Sequence, residues 1–247
     1  MALIVTVLKQ SKKFTTQHAQ WIHKQFGAHE SVCLTDATHI DGVKTAPLLH
    51  DFPGWWSKIE LFNPDHPVLG KQDLLYFDID IVITGDITPL LQAQEFTMLS
   101  GLAYKNQCNS SLMYIPCSIK QYVWDSFMAN PQQHMDECVV PEKWGDQGFL
   151  SGITTPKEWQ QELPNRIYSY KLDIATPTML GYDAALASGK GTGVPPKDAI
   201  LVCFHGYPSP WKTGLSWVPF FSIKEKVSGK MKAVRCWLKA KKRQRQA

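Results

Sequence analysis

The sequence predicts an α/β protein with a mostly parallel central sheet flanked by helices. Three observations carry this expectation. Short apolar runs rich in β-branched residues recur along the chain, as strands buried on both faces require. Segments of helical periodicity fall between them, the alternation that builds parallel sheets. At 247 residues, 44% hydrophobic and 19% charged, the chain has ample material for a core.

The elements follow in order. Met1-Ala2-Leu3-Ile4-Val5-Thr6-Val7-Leu8 is apolar but short, with no charged region before it, so residues 3–8 read as a buried strand rather than a signal peptide. Residues 15–26 read as a helix presenting Ala19, Ile22 and Phe26 on one face, and 31–35 as the second strand. A helix with aromatic contacts is expected over 55–62. The run 74–83 reads as one continuous strand, left through Gly85-Asp86-Ile87. Strands are expected at 96–103, 111–115 and 200–204. A helix is expected over 118–129, with Ser118 as N-cap and Tyr122, Val123 and Phe127 on one face. No apolar stretch approaches 18 residues, so no membrane span is predicted. The six cysteines (33, 108, 117, 138, 203 and 236) are scattered without a Cys-x-x-Cys pair, which suits a reducing cytosol.

Within 74–83, Leu74-Leu75-Tyr76-Phe77-Asp78-Ile79-Asp80-Ile81-Val82-Ile83, two aspartates interrupt an otherwise apolar strand. Aspartate is depleted in strands, and a buried carboxylate needs a partner. A divalent cation with oxygen ligands is one such partner; neighbouring backbone amides at a strand end are another. In an open α/β sheet ligands bind beyond the carboxyl ends of strands, where these residues fall. With 14 aspartates in the chain, chance supplies on the order of one Asp-x-Asp triplet, so context must decide. The glycine-rich stretch 188–196 lacks the Gly-Lys-Ser/Thr spacing of a phosphate loop and reads as a connector or lid.

Four segments, in order, resemble nucleotide-sugar glycosyltransferases of the GT-A type, especially the glycogenin-like family 8. Tyr76-Phe77-Asp78-Ile79-Asp80 is similar to that family's metal-binding strand. Asn109-Ser110-Ser111-Leu112-Met113 resembles its sugar-pocket segment, and Gly145-Asp146-Gln147-Gly148-Phe149-Leu150 its Asp-Gln segment. Phe204-His205-Gly206-Tyr207-Pro208-Ser209-Pro210-Trp211-Lys212 resembles its C-terminal His-Gly loop. The resemblance spans about residues 1–215. It implies a Rossmann-like GT-A domain over 1–223 and a basic helix or tail over 224–247.

The resemblance also implies a chemistry: retaining transfer of a hexose from a UDP-sugar to a hydroxyl, assisted by Mn²⁺ or Mg²⁺. Asp78, Asp80 and His205 are the implied metal ligands. Asp146 and Gln147 are the implied catalytic pair, Asp146 on sugar hydroxyls and Gln147 near the anomeric carbon. Leu8, Lys58, Asp78, Asn109, Ser110, Asp146, Gly206 and Lys212 are implied at the donor. Ser209 stands where the family has a lysine, with Lys212 as a substitute. Residue by residue, other readings compete: Asp146 as an N-cap for a helix starting at Gln147, Asn109 as a turn residue, Lys58 as a snorkelling surface lysine. Phe14 reads as a core residue, or as a stacking partner for uracil. Asp146 is the one nameable nucleophile for a double displacement, and same-face attack is the favoured route. The alternative for the whole chain is a GT-A-fold protein that has lost catalysis and binds a glycan or nucleic acid.

The charge is unevenly placed. Residues 224–247 hold ten Lys or Arg against one Glu, leaving 16 basic and 21 acidic residues in the rest. Val227, Met231, Val234 and Leu238 recur at helical spacing within that basic stretch. The stripe fits packing on the protein's own domain, an anionic membrane surface with Trp237 at the interface, or phosphates of DNA carrying hydroxymethylated pyrimidines. The expectation is a cytoplasmic protein, peripheral on a membrane or on DNA, with no obligate protein partner.

Overall fold

The apolar run at residues 3–8 forms an inner strand of the sheet, and every residue of this strand, β1 (Leu3–Leu8), is buried. The computed structural model describes residues 1–101, 107–176, 191–225 and 231. These fall into two compact units, one of Met1–Ile79 with Ile87–Pro164, the other of Asp80–Asp86 with the described residues from Asn165 onward.

In the first unit β1 pairs in parallel with β2 (Ser31–Thr35) on one side and β4 (Leu74–Phe77) on the other; β3 (Lys44–Pro47) extends the β2 side. Beyond β4 lie β7 (Asn109–Ile115), antiparallel to both its neighbours, then β6 (Thr97–Leu99) and β10 (Lys157–Glu158). The sheet order is β10-β6-β7-β4-β1-β2-β3, so four of six pairings are parallel. The chain leaves β1 towards β2 and later returns to its opposite side as β4. That reversal opens a crevice at the carboxyl ends of β1 and β4, the general ligand position in open α/β sheets. Leu8 ends one of these strands, and Asp78 follows directly on the other.

Helix α1 (Thr16–His23) runs into a 3-10 turn at Lys24–Phe26, close to the expected boundaries, with Ala19, Ile22 and Phe26 buried. The expected helix over 55–62 is a 3-10 helix, Gly54–Phe62, which buries Trp56, Ile59, Leu61 and Phe62. Runs of that length are uncommon for this geometry. Fully buried Glu60 ties it down, its two carboxylate oxygens accepting from the Leu49 and His50 amides at 2.7 Å each. Glu60→Ala is therefore expected to lose about 1–3 kcal/mol by orphaning both amides, read as a lowered urea midpoint with an unchanged m-value.

Two expectations need correction. The run 74–83 is not one strand: β4 stops at Phe77, and β5 (Ile81–Ile83) belongs to the other unit's sheet. The Asp78 amide still donates to the Ser111 carbonyl at 2.8 Å, but its carboxylate turns to side-chain partners and the ladder ends there. Helix α2 (Cys117–Met128) is capped by Pro116, not Ser118, because the Asp73 carboxylate accepts from the Cys117 amide at 2.7 Å. Val123 and Phe127 do face the core, whereas Tyr122 is exposed and hydrogen-bonds the Ile153 carbonyl.

After α2 come α3 (Pro131–Glu137) and a hairpin of β8 (Val139–Val140) and β9 (Lys143–Trp144). It delivers the chain into α4 (Gly145–Ile153), which is followed by the short α5 (Trp159–Glu162).

The second unit carries a three-stranded sheet in which β12 (Leu201–Cys203) pairs in parallel with β11 (Ile167–Ser169) and antiparallel with β5. No helix of the described residues is long and apolar enough to cross a membrane. Of the basic stretch 224–247, only residues 224, 225 and 231 are described, so the readings of that tail lie outside the described residues, as does the 188–190 part of the glycine-rich loop.

Candidate active site

In the first unit the sheet register brings three sequence segments to one place. Pairing of Phe77 with Leu112 sets Asp78 beside the start of β7. Tyr76 and Asp78 alternate along the strand and so share a face, and the Tyr76 hydroxyl donates to Asp78 Oδ1. Lys58, from the 3-10 helix, lies 3.0 Å from Asp78 Oδ1 and 3.6 Å from Asp146 Oδ2. It also donates to Ser110 Oγ at 3.1 Å and sits over the Tyr76 ring, 5.6 Å from its centroid. Lys58 is therefore no snorkelling surface lysine. Its ammonium, on a side chain only 13% exposed, serves two carboxylates.

Asp146 lies in the first turn of α4, where the helix dipole favours a carboxylate. Trp144, not Asp146, is the N-cap, and Gly145 opens the helix with φ of +62°. Burial raises the Asp146 pKa; Lys58 and a Ser110 hydrogen bond pull it down, and the Asp78 charge raises it again. Asp146 Oδ2 is buried without a hydrogen-bond partner. Buried acids perturbed by desolvation and by a specific charge partner cluster at functional sites.

Gln147 is oriented by a chain that begins at the backbone. The Ser111 amide donates to Asn109 Oδ1 at 3.0 Å, which fixes the Asn109 amide, and Asn109 Nδ2 then donates to Gln147 Oε1 at 3.0 Å. With Oε1 held in this way, the Gln147 amino group points away from Asn109. Asn109 thus positions Gln147, beyond the sugar contact that the resemblance implied for it. Leu8 is fully buried, so only its main chain can face a ligand. Phe14 is half-buried, edge-on to His18 with Lys13 over its ring, and is not a core residue.

In the second unit Asp80, 8% exposed, directly precedes β5. Ile81 opposes Cys203 in the antiparallel pair, so His205, two residues beyond Cys203, lies at the same end of this small sheet as Asp80. Ser169 ends β11 opposite Cys203, and its Oγ sits 2.7 Å from His205 Nε2. Burial, with the Lys171 charge beside it, lowers the His205 pKa to about 4, so the imidazole is neutral at physiological pH. Gly206 has φ of +91°, and a Cβ there would stand 3.6 Å from Lys171 Nζ. Lys171 is the buried lysine beside the His-Gly loop, while Lys212 is half-buried in the 3-10 turn Pro210–Lys212. Among the described residues, no three His, Cys, Asp or Glu side chains are grouped so as to hold a metal ion.

Sequence reasoning missed Tyr76, Ser169 and Lys171. Tyr76 was findable, two residues before Asp78 on a strand. Ser169 and Lys171 carry no local signal, since their place depends on pairing 34 residues along the chain, Ser169 with Cys203.

Neither a protein-family model nor a curated protein matches this chain. Solved structures do match. The crystal structure of the glycosyltransferase GlyE of Streptococcus pneumoniae TIGR4 aligns over 94% of this chain with a TM-score of 0.59 and 14% identity. Its apo form aligns over 97% at 0.53, also 14% identical. The chain spans only 61% and 64% of those two GlyE chains. An active-site mutant of LgtC aligns over 93% of this chain and 94% of its own length, with a TM-score of 0.52 and 10% identity. The shared architecture, a mostly parallel sheet that reverses beside β1, is the GT-A fold, and this chain has it.

Proposed function

We propose that this chain is a metal-dependent glycosyltransferase that moves a hexose from a UDP-sugar to a hydroxyl acceptor with retention of anomeric configuration. The observation that carries the reading is Asp146: a buried carboxylate with one oxygen lacking a hydrogen bond, at the start of a helix, beside a lysine shared with Asp78. An unsatisfied buried acceptor calls for a ligand donor, and sugar hydroxyls supply one.

The donor chemistry of the proposed metal residues suits Mn²⁺ or Mg²⁺. Donor chemistry carries this part, not a preformed cluster: Asp78 and Asp80 would each offer hard oxygens, and neutral His205 an imidazole nitrogen, its ring held through Ser169. When bound, the ion would stabilise negative charge gathering on the departing diphosphate. The chain's own residues do the rest. Asp146 accepts from the sugar hydroxyls and places negative charge near the anomeric carbon, where positive charge develops. Gln147, held by Asn109, presents its amino group to the same centre. Lys58 keeps Asp78 and Asp146 from repelling one another. Lys171, beside Gly206, and Lys212 are proposed to meet a phosphate at the His-Gly loop. Gln147 is a poor nucleophile, so same-face attack is the proposed route. The basic tail is proposed to hold the enzyme on an anionic surface in the cytoplasm, with deletion of 225–247 as its test.

The experiment is release of UDP from a panel of UDP-sugars with Mn²⁺, alongside thermal denaturation. We expect one donor to be turned over, activity to vanish with chelator and with Asp80→Ala, and UDP with Mn²⁺ at 100-fold over Kd to stabilise the fold by about 2.7 kcal/mol. Absence of both turnover and stabilisation with every donor would overturn the reading. Saccharide binding without UDP release would instead make the chain a binding protein that has lost catalysis.

A further inference from the structure

We propose that Trp55 and Trp144 form a stacking platform for a neutral pyranose ring of the acceptor; this rests on the transferase reading above and names the acceptor class of that site. Both indoles are unusually open for their size, 49% and 39% exposed, and their ring centroids lie 6.0 Å apart at an angle of 43°. Two elements independently aim them at the candidate centre. In a 3-10 helix residues i and i+3 eclipse, so Trp55 stands on the same face as Lys58, one turn before it. Trp144 is the N-cap of α4, two residues before Asp146 and three before Gln147. The two approaches meet at Gly145, where a Cβ would fall 2.9 Å from Trp55 Nε1, so the bare glycine lets the indole rest on the helix start. Val139, opposite Trp144 in the β8–β9 hairpin and 60% exposed, extends the apolar floor.

The chemistry selects the occupant. The C–H face of a pyranose carries slight positive charge and fits the negative face of an indole, while its hydroxyls remain solvated around the rim. Rigid indoles provide this contact at little entropic cost. A nucleobase would also stack, but its phosphates need cations. Between residues 130 and 144 the exposed acids Asp136, Glu137 and Glu142 stand against Lys143 alone, and Lys143 is paired with Glu137 at 3.2 Å; Asp146 is buried and balanced by Lys58. An acidic surround repels a nucleic-acid backbone and tolerates an uncharged sugar.

The test uses the full chain with lactose, maltose, cellobiose and chitobiose as probes. Tryptophan fluorescence is followed during titration without donor, and acceptor KM is measured with the preferred UDP-sugar. Trp55→Ala and Trp144→Ala should each raise acceptor KM about tenfold while the affinity for UDP, measured without acceptor, is held. Trp144→Phe should recover most of the loss, and melting curves confirm that each variant folds. The double variant should lose the fluorescence response to saccharide. Unchanged KM in both single variants would overturn the platform. So would a single-stranded 12-mer DNA that wild type binds and the double variant does not, with no saccharide response in either. If no donor is ever turned over, the transferase reading fails alone: a saccharide response lost in the double variant still upholds the platform.

Discussion

Asp146→Asn should cut sugar transfer by on the order of 10²–10³-fold while leaving the fold as stable as before, or more stable by up to about 2 kcal/mol. The two halves of this expectation have one cause. Asp146 is buried, its Oδ2 lacks a hydrogen bond, and its pKa is raised chiefly by desolvation. Its charge is therefore costly to the resting fold, and the 3.6 Å separation from Lys58 offsets that cost only partly. An amide of the same shape removes the charge. Lys58 is not orphaned, because Asp78 remains at 3.0 Å and Ser110 Oγ at 3.1 Å. What disappears is the negative potential aimed at the anomeric carbon.

The pH dependence follows with a definite sign. A carboxyl whose folded pKa lies above its unfolded value binds its proton more tightly when folded. Its ionisation therefore subtracts stability as pH rises from about 4 towards the raised folded value. Asp146→Asn should remove that decline, measured as urea midpoints across the acid range. Wild-type turnover in the variant would remove Asp146 from the chemistry, and a stability loss above about 1 kcal/mol would make the carboxylate structural.

Much of this arrangement is legible in the sequence, and the parts that are not share a physical reason. Strands 3–8 and 31–35 declare themselves through unbroken apolar runs, and their observed bounds agree. The order of Asp78, Asn109, Asp146 and His205 along the chain pointed to the fold that the topology shows. The split after Phe77 was hidden because Ile81-Val82-Ile83 is as apolar as Leu74-Leu75-Tyr76-Phe77; composition reports burial, not which sheet does the burying. The cap of α2 was misplaced for a similar reason, since Asp73 reaches Cys117 across 44 positions. Lys58 shows the limit most clearly. Its spacing suits a solvated lysine on an aromatic helix, and only the 20 and 88 positions that folding closes to Asp78 and Asp146 reveal its task.

Lys58→Met should be the most damaging single substitution at this site, lowering stability at neutral pH by about 3–5 kcal/mol and abolishing transfer. Methionine keeps the length of the stem and its contact with the Tyr76 ring, so packing loss is small. The damage is electrostatic: two carboxylates, only 22% and 5% exposed, lose the one cation that, among the described residues, lies within 4 Å of both, and Ser110 loses a donor. With that cation gone, the Asp146 carboxyl must rise further above the ordinary range, since Lys58 is the largest influence lowering it. The defect should therefore shrink as pH falls, because protonation of Asp146 relieves it, and urea midpoints of the variant should approach wild type at acid pH. The double variant Lys58→Met with Asp146→Asn should regain a large part of the loss at neutral pH, giving a coupling energy of about 1–3 kcal/mol between sites in contact. Additive losses would mean that Lys58 and Asp146 do not share a charge balance. A pH-independent defect would assign the lysine to packing, and the buried carboxylate would then owe its ionisation to the start of α4 and the Ser110 hydrogen bond.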